Sequence, residues 1–201
     1  MKPHIEEHNA VISFEDFKKK VIQDYKLAVL SRQCSILGRR EVLNGKGKFG
    51  IFGDGKELPQ VVLNHFFQKG DYRAGYYRDQ TLLMAQGLLD SDKFFASLYG
   101  HPDLNYEPMS GGRQMGAHFM TENIDENGNW VSQKDIFNHS ADLSPTASQM
   151  PRLVGLAQAS KIYRNLDVKS MSNFSSNGNE IAWGTIGNAS TSEGVFFEAI
   201  N

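Results

Sequence analysis

Only one cysteine, Cys34, occurs in the 201 residues. That excludes an internal disulfide and a cysteine-based zinc site. Charge of one sign is also missing: 21 Lys and Arg stand against 23 Asp and Glu, for a net charge of −2. Such a balance argues against a nucleic-acid protein, whose phosphate contacts show as a basic excess. No run approaches the roughly 20 apolar residues needed to span a bilayer. The opening MKPHIEEHNA has neither the apolar stretch of a secretory signal nor the acid-poor, arginine-rich character of a transit peptide. No G-x-x-x-x-G-K-[ST] sequence occurs, which removes the main support for a kinase or ATPase. What is present is ordinary globular composition, 40% hydrophobic and 22% charged, in a chain long enough for one large domain or two small ones. These readings predict a soluble, cytoplasmic protein that is not secreted and takes neither nucleic acid nor membrane as a partner.

Periodicity predicts a first helix over 13–37, capped by Ser13, with Phe14, Phe17, Val21, Tyr25, Ala28 and Val29 as its apolar face. Lys18, Lys19 and Lys20 read as its solvated face. A Gly-rich connection, 45–55, follows. A second helix starts near Glu57, with Pro59 in its first turn and Gly70 past its end. Residues 71–80 read as a strand running into an exposed loop. Short helices are predicted at 81–89 and 92–99, the latter capped by Ser91 and stopped by Gly100. From His101 to Asp142 periodicity fades, and so long an irregular stretch is usually functional or disordered. Ser144-Pro145 opens a helix to about Leu166, 170–179 is a turn-rich connection, 180–187 a buried strand and 191–200 a helix. Helices alternating with strands predict an α/β fold, helices around a mostly parallel sheet. The chain stops at Asn201 in an unfinished helix, which reads as a fragment truncated at its C-terminus. The division is an N-terminal helical segment, 1–44, and a domain begun at 45–201.

Several motifs carry chemistry, each with a bland counterpart. Gly45-Lys-Gly47-Lys-Phe-Gly50 matches a dinucleotide pattern, but a helix precedes it and Gly53 and Gly55 follow, the wrong context for that chemistry. At 181–200 a strand runs through Gly187-Asn188-Ala189-Ser190-Thr191-Ser192 into a helix. That geometry aims N–H groups and a positive helix end at one point, an anion site. Asn188 adds a carbonyl oxygen for a cation such as magnesium; the alternative is a plain turn with capping hydroxyls. Tyr77-Arg78 and Gly112-Arg113 set guanidinium groups beside Gly-loosened loops, as bidentate phosphate or carboxylate recognition requires. For either arginine taken singly, an ordinary surface residue is the better reading. His118, in the irregular stretch, can donate to a substrate carboxylate or sit as a structural histidine. His4, His8, His65, His101 and His139 show no ligand spacing.

In order, these segments resemble the α part of the thiamine-diphosphate-dependent first component of 2-oxo acid dehydrogenase complexes. The landmarks are Asp54-Gly-Lys-Glu57, Gly75-Tyr-Tyr77-Arg78, Gly111-Gly-Arg113-Gln-Met115 with His118, Ser144-Pro145, Ser148-Gln-Met-Pro151, and Gly187 through Asn201. They cover about 45–201, and GGRQMGAH and the TSEG…FFEAIN ending are the most specific. The branched-chain, 2-oxoisovalerate type is the nearest in its GRQM and SEG sequences. The resemblance implies a thiamine-diphosphate-binding fold in which this chain supplies the diphosphate side. Tyr77 and Arg78 would hold the diphosphate, Ser144 and Thr146 would lie against the thiamine, and the Gly187, Asn188, Ala189 and Ser190 segment would meet the diphosphate and its magnesium. Ser148 and Gln149 fall where some relatives hold a structural potassium ion. His118 falls on a histidine facing the substrate channel, a catalytic role, with Arg113 beside it as a substrate residue. One departure matters. Where the family has Gly-Asp-Gly or Gly-Glu-Gly, this chain has Gly187-Asn188-Ala189, which removes a negative charge from the metal site.

The activity so implied is oxidative decarboxylation of a 2-oxo acid, with acyl transfer to the lipoyl domain of a dihydrolipoyl acyltransferase. A β part, as a separate subunit or fused downstream, would complete the site within an oligomer, leaving these 201 residues inert alone. Two alternatives stay open: a related pyruvate or acetoin dehydrogenase component, and a non-catalytic α/β interaction module with a degenerate metal site.

Overall fold

The structure is a computed structural model describing residues 12–166 and 173–201. Residues 1–11 of the N-terminal segment and the start of the connection expected at 170–179 lie outside the described residues. The elements in order are α1 (Phe14–Leu43), α2 (Glu57–Asn64), β1 (Tyr72–Ala74), α3 (Gln80–Ala85), α4 (Ser91–Tyr99), β2 (Asn138–His139), α5 (Gln149–Asn165), β3 (Ala182–Gly184) and α6 (Gly194–Ile200). The three strands form one wholly parallel sheet in the order β2-β1-β3. Helices around a small parallel sheet are the α/β architecture that the sequence predicts.

α1 begins where expected, because the Ser13 hydroxyl oxygen accepts the Asp16 N–H and Glu15 and Asp16 sit in the positive first turn. It runs six residues past the predicted end at 37. The reason is Gly38, a packing contact rather than a stop: a Cβ there would lie 2.5 Å from the Phe52 ring. The predicted apolar face is a correction. Phe14, Phe17, Val21, Tyr25 and Val29 are exposed, Tyr25 by 70%. What α1 buries is Ser31, Cys34, Ser35 and Gly38. Those small residues let α3 approach closely enough for a polar joint. The Ser31 and Thr81 hydroxyls lie 2.7 Å apart, and Gln80 Nε2 donates to Ser31 O and Ser35 Oγ at 3.0 Å. Burial thus follows the fit between helices, and periodicity marks a stripe that no described element covers.

The core gathers Cys34, Phe52, Leu83, Met84, Leu89, Phe94, Leu98, Ala117 and Phe119 where α1, α3 and α4 meet the irregular stretch. Each large side chain withdrawn there contributes on the order of 2 kcal/mol. α2 starts at Glu57 as expected but ends at Asn64, well before Gly70. α4 is capped by Asp90, whose carboxylate accepts Lys93 N–H at 2.8 Å, rather than by Ser91; Gly100 stops it in the left-handed conformation, φ 67°. The helix expected from Ser144 starts at Gln149, because Ala147 at φ 63° interrupts the turn before it.

Two strand expectations also change. β1 does not lead into an exposed loop. It is the central strand, and Arg73, Ala74, Gly75, Tyr76 and Asp79 are buried. β3 is shorter than 180–187 and half-exposed, since β1 is its only sheet neighbour among the described residues. Asp71, just before β1, fixes the pair by accepting from Ile181 N–H and Trp183 Nε1, both at 2.8 Å.

Candidate functional site

The carboxyl end of β1 turns through Gly75 into Tyr76-Tyr77-Arg78-Asp79. Gly75 is required, because a Cβ there would lie 2.0 Å from Arg73 Nε. Arg73 is fully buried beneath this turn and spends its donors within it. Nε donates to Asp79 Oδ2 at 2.8 Å, while NH2 donates to Asp142 Oδ1 at 2.8 Å and to Tyr76 O at 3.1 Å. His139 Nδ1 lies 3.3 Å from Arg73 NH1, and its Nε2 lies 2.5 Å from Gln86 Oε1. Guanidinium has no acceptor, so His139 accepts at Nδ1 and donates at Nε2, the neutral tautomer. Burial and the Arg73 charge hold His139 far below the ordinary histidine range. Burial pushes the Asp142 carboxyl up to about 6, reinforced by Asp79 and opposed by Arg73.

Above this cluster lie the predicted site residues. Tyr77 and Arg78 are half-buried, and the Arg78 guanidinium carbon lies 5.3 Å from the Tyr77 ring centroid. Arg78 Nε donates to Phe52 O at 3.2 Å. Its two terminal nitrogens have no hydrogen-bond partner among the described residues, so a two-pronged donor is left for an anion. The Tyr77 ring stacks on His118 at 5.6 Å and 29°. His118 is buried, with Nδ1 3.3 Å from Gly116 O and Nε2 2.7 Å from Ser144 Oγ. A carbonyl can only accept, so Nδ1 carries a proton, and Nε2 and the Ser144 hydroxyl share the hydrogen between them. Two alanines in the left-handed conformation flank this pair: Ala117 at φ 66° before His118, and Ala147 at φ 63° after Thr146. Such backbone costs of order 1 kcal/mol and persists only where surrounding contacts over-determine it.

Tyr77, Arg78, His118 and Ser144 are therefore brought into one cluster. The end of β3 is tied to it as well. The Thr185 hydroxyl donates to Asp79 Oδ2, Gln149 Nε2 donates to Thr185 O at 2.8 Å, and Gly187 faces the Tyr76 ring. Other predicted residues stand apart. Arg113 is exposed, on a loop that buried Glu107 holds by accepting from Ser110 and Gly112 N–H at 2.8 and 3.0 Å. Thr146, Asn188 and Ala189 are exposed. The Gly187 segment is not a strand leading straight into a helix. A 3-10 turn, Asn188–Ser192, intervenes, and its Ser190 N–H is used by Gly187 O at 2.9 Å. Ser148 Oγ donates to Pro145 O at 2.7 Å.

The donor set decides which groups fit. A diphosphate fits the Arg78 fork, whose terminal nitrogens are left for an anion. A magnesium ion does not fit these residues alone: the described residues hold no group of three His, Cys, Asp or Glu, and Asn188 offers one neutral oxygen where a hard cation takes six, usually with carboxylates. The sequence reading missed Arg73, Asp79, Asp142 and Thr185. A signal existed for Arg73, a cation inside a strand followed by the small pair Ala74-Gly75. No helix among the described residues is long and apolar enough to cross a membrane.

Two comparisons bear on this cluster. The family model described as dehydrogenase E1 component matches residues 25–201. The chain is also similar to the 2-oxoisovalerate dehydrogenase subunit alpha of Bacillus subtilis (strain 168), 28% identical over 186 residues, covering 91% of this chain and 47% of that protein. The chain thus spans about half the length of that relative.

Proposed function

The chain belongs to the dehydrogenase E1 component family, and from that premise we propose that it carries the diphosphate-binding half of a thiamine-diphosphate-dependent 2-oxo acid dehydrogenase. The observation that carries this reading is the contact of Tyr77, Arg78, His118 and Ser144 in one cluster at the end of the central strand, with two donors of Arg78 unspent. Ligand sites of open parallel sheets form at such carboxyl ends.

When bound, thiamine diphosphate supplies the electron sink for decarboxylation. The chain's own residues bind, orient and handle protons. Arg78 would grip the diphosphate with its fork, and the Tyr77 ring would keep that arginine and His118 in place. His118 Nε2 and the Ser144 hydroxyl would hold a proton at the substrate end, one accepting as the other donates. Ser144 and Thr146 would border the thiamine, and Gly187 to Ser190 the diphosphate. Asn188 would be a neutral magnesium ligand needing a carboxylate from outside these residues. Ser148 and Gln149 remain the candidates for a potassium ion, and Arg113 for the substrate carboxylate once its loop is engaged.

A branched-chain 2-oxo acid is the substrate favoured by the similarity to a 2-oxoisovalerate dehydrogenase subunit, ahead of pyruvate or acetoin. The acyl product would pass to the lipoyl domain of a dihydrolipoyl acyltransferase. The exposed apolar stripe of α1, from Phe14 to Val29, supports assembly with a β part in a cytoplasmic oligomer, and the 201 residues alone would be inactive.

The test is calorimetric titration of thiamine diphosphate, with and without magnesium, into the intact protein and its Asn188→Asp and Arg78→Met variants. Binding by the wild type that Arg78→Met weakens at least tenfold supports the proposal. Binding only by Asn188→Asp makes the missing carboxylate the reason that the natural chain is silent. No binding by either leaves the non-catalytic interaction module.

A further inference from the structure

Arg73 lies in the centre of β1 and touches none of the groups assigned to cofactor or substrate. Yet the Tyr77-Arg78 turn, the backbone beside His118 and Ser144, and the end of β3 before Gly187 are all tied to it. Asp79, held by Arg73 Nε at 2.8 Å, accepts Tyr76 N–H at 3.2 Å and the Thr185 hydroxyl. It therefore joins the Tyr77-Arg78 turn to the end of β3, two residues before Gly187. Asp142, held by Arg73 NH2 at 2.8 Å, accepts Phe119 N–H at 3.0 Å and so fixes the backbone next to His118. It also lies two residues before Ser144. The same NH2 reaches Tyr76 O at 3.1 Å.

We propose that Arg73 is a positioning residue, a single buried fork that sets the Tyr77-Arg78 turn, the His118–Ser144 pair and the Gly187 segment in mutual register through Asp79 and Asp142. This rests on the functional reading above. The geometry suits the role. A planar fork fixes two carboxylates at a set distance and angle, which a lysine cannot do. A hydrophobic replacement of the whole cluster would be the cheaper way to fill the core, since buried ion clusters stabilise little for what they cost in desolvation. One cation between two carboxylates makes sense where orientation is the product.

Three variants of the full-length protein test it. Arg73→Lys keeps the charge and loses the fork. Arg73→Met with Asp142→Asn removes one charge of each sign, leaving the cluster's net charge unchanged. Thr185→Val cuts only the tie to β3, from a half-buried position, and Thr185→Ser restores its hydroxyl. Hydrogen exchange is measured without ligand, followed by titration of thiamine diphosphate. The expected result is faster exchange in 75–79, 117–121 and 185–190 together, unchanged exchange in 81–99, and affinity lower by about ten- to a hundredfold, the usual cost of losing an orienting partner. Thr185→Val is expected to slacken 185–190 and weaken binding with an unchanged melting temperature, and Thr185→Ser to bind as the wild type does. Wild-type affinity in a folded Arg73 variant, exchange rising equally through 81–99, or Thr185→Ser matching Thr185→Val would overturn the proposal. So would failure of both Arg73 variants to fold together with wild-type binding by Thr185→Val. If the wild type takes up no thiamine diphosphate, the functional reading falls, and the exchange pattern alone decides for or against the clamp.

Discussion

Replacing Asp142 by asparagine turns the buried cluster into a pH experiment. The side chain is enclosed, its neighbours are Arg73 and the Phe119 N–H, and its carboxyl is raised from 3.8 to about 6. The cause is burial first, then the charge of Asp79, with Arg73 pulling the other way. A shift of about two units corresponds to about 3 kcal/mol. The sign follows from proton uptake. The folded state holds the proton more tightly than the unfolded chain, so this group's contribution is fully present below pH 4 and is lost as pH rises through 6. His139 works in the opposite sense. Its pKa is depressed by burial and by Arg73, so its contribution is present above the unfolded value of about 6.5 and is lost as pH falls below it. His139 remains in both proteins and cancels to first order in their difference. Urea unfolding followed by tryptophan fluorescence from pH 4 to 7.5 therefore isolates the carboxyl. Asp142→Asn is expected to be clearly less stable than the wild type at pH 4, and the gap is expected to narrow by up to about 3 kcal/mol by pH 7. A gap that stays constant or widens would show that Asp142 is ionised throughout and that Arg73 outweighs burial, refuting the argument.

Ala117→Gly and Ala147→Gly, at φ 66° and 63°, relieve left-handed backbone and are expected to be neutral or to stabilise by up to about 1 kcal/mol. Ala157→Gly inside α5 should instead cost about 1 kcal/mol; equal losses at all three positions in thermal melts would contradict the strain. Glu57, pushed up by burial but drawn below the ordinary range by the Arg32 fork and the Gly55 N–H, contributes stability above the unfolded carboxylate value that is lost in acid. Glu57→Gln should therefore lower the denaturation midpoint at pH 7 and matter less at pH 3.5, and a loss independent of pH would disprove the ion pair's part. Ser144→Ala removes the partner of His118 Nε2 at 2.7 Å and is expected to cost about 1 kcal/mol of stability. In the assembled enzyme that we propose, it should lower turnover more than it raises KM; an effect on KM alone would place Ser144 in substrate binding instead.

How much of this was legible beforehand depended on the range of the interactions involved. Local chemistry spoke plainly. Ser13 caps α1, Gly100 stops α4 and Glu57 opens α2, because a cap or a left-handed stop is decided within four residues. The alternation of helices and strands gave the α/β class, and the order of short motifs from Asp54 to Asn201 carried the family resemblance. Positions set by distant partners were misread. The stripe from Phe14 to Val29 has the period of a buried face, yet the residues that meet α3 are Ser31 and Ser35, whose fit depends on Gln80 and Thr81 about fifty positions away. Arg73 stands out locally only as a cation before Ala74-Gly75, and its role stayed hidden because Asp142 is 69 residues along the chain. By itself the sequence determined which segments are helices and which loops are built from glycine, and it named candidates for the chemistry. Only the tertiary structure decided that Tyr77, Arg78, His118 and Ser144 share one place while Arg113 and Asn188 stand at the surface, because parallel strands meet through long crossovers whose closure no local pattern encodes.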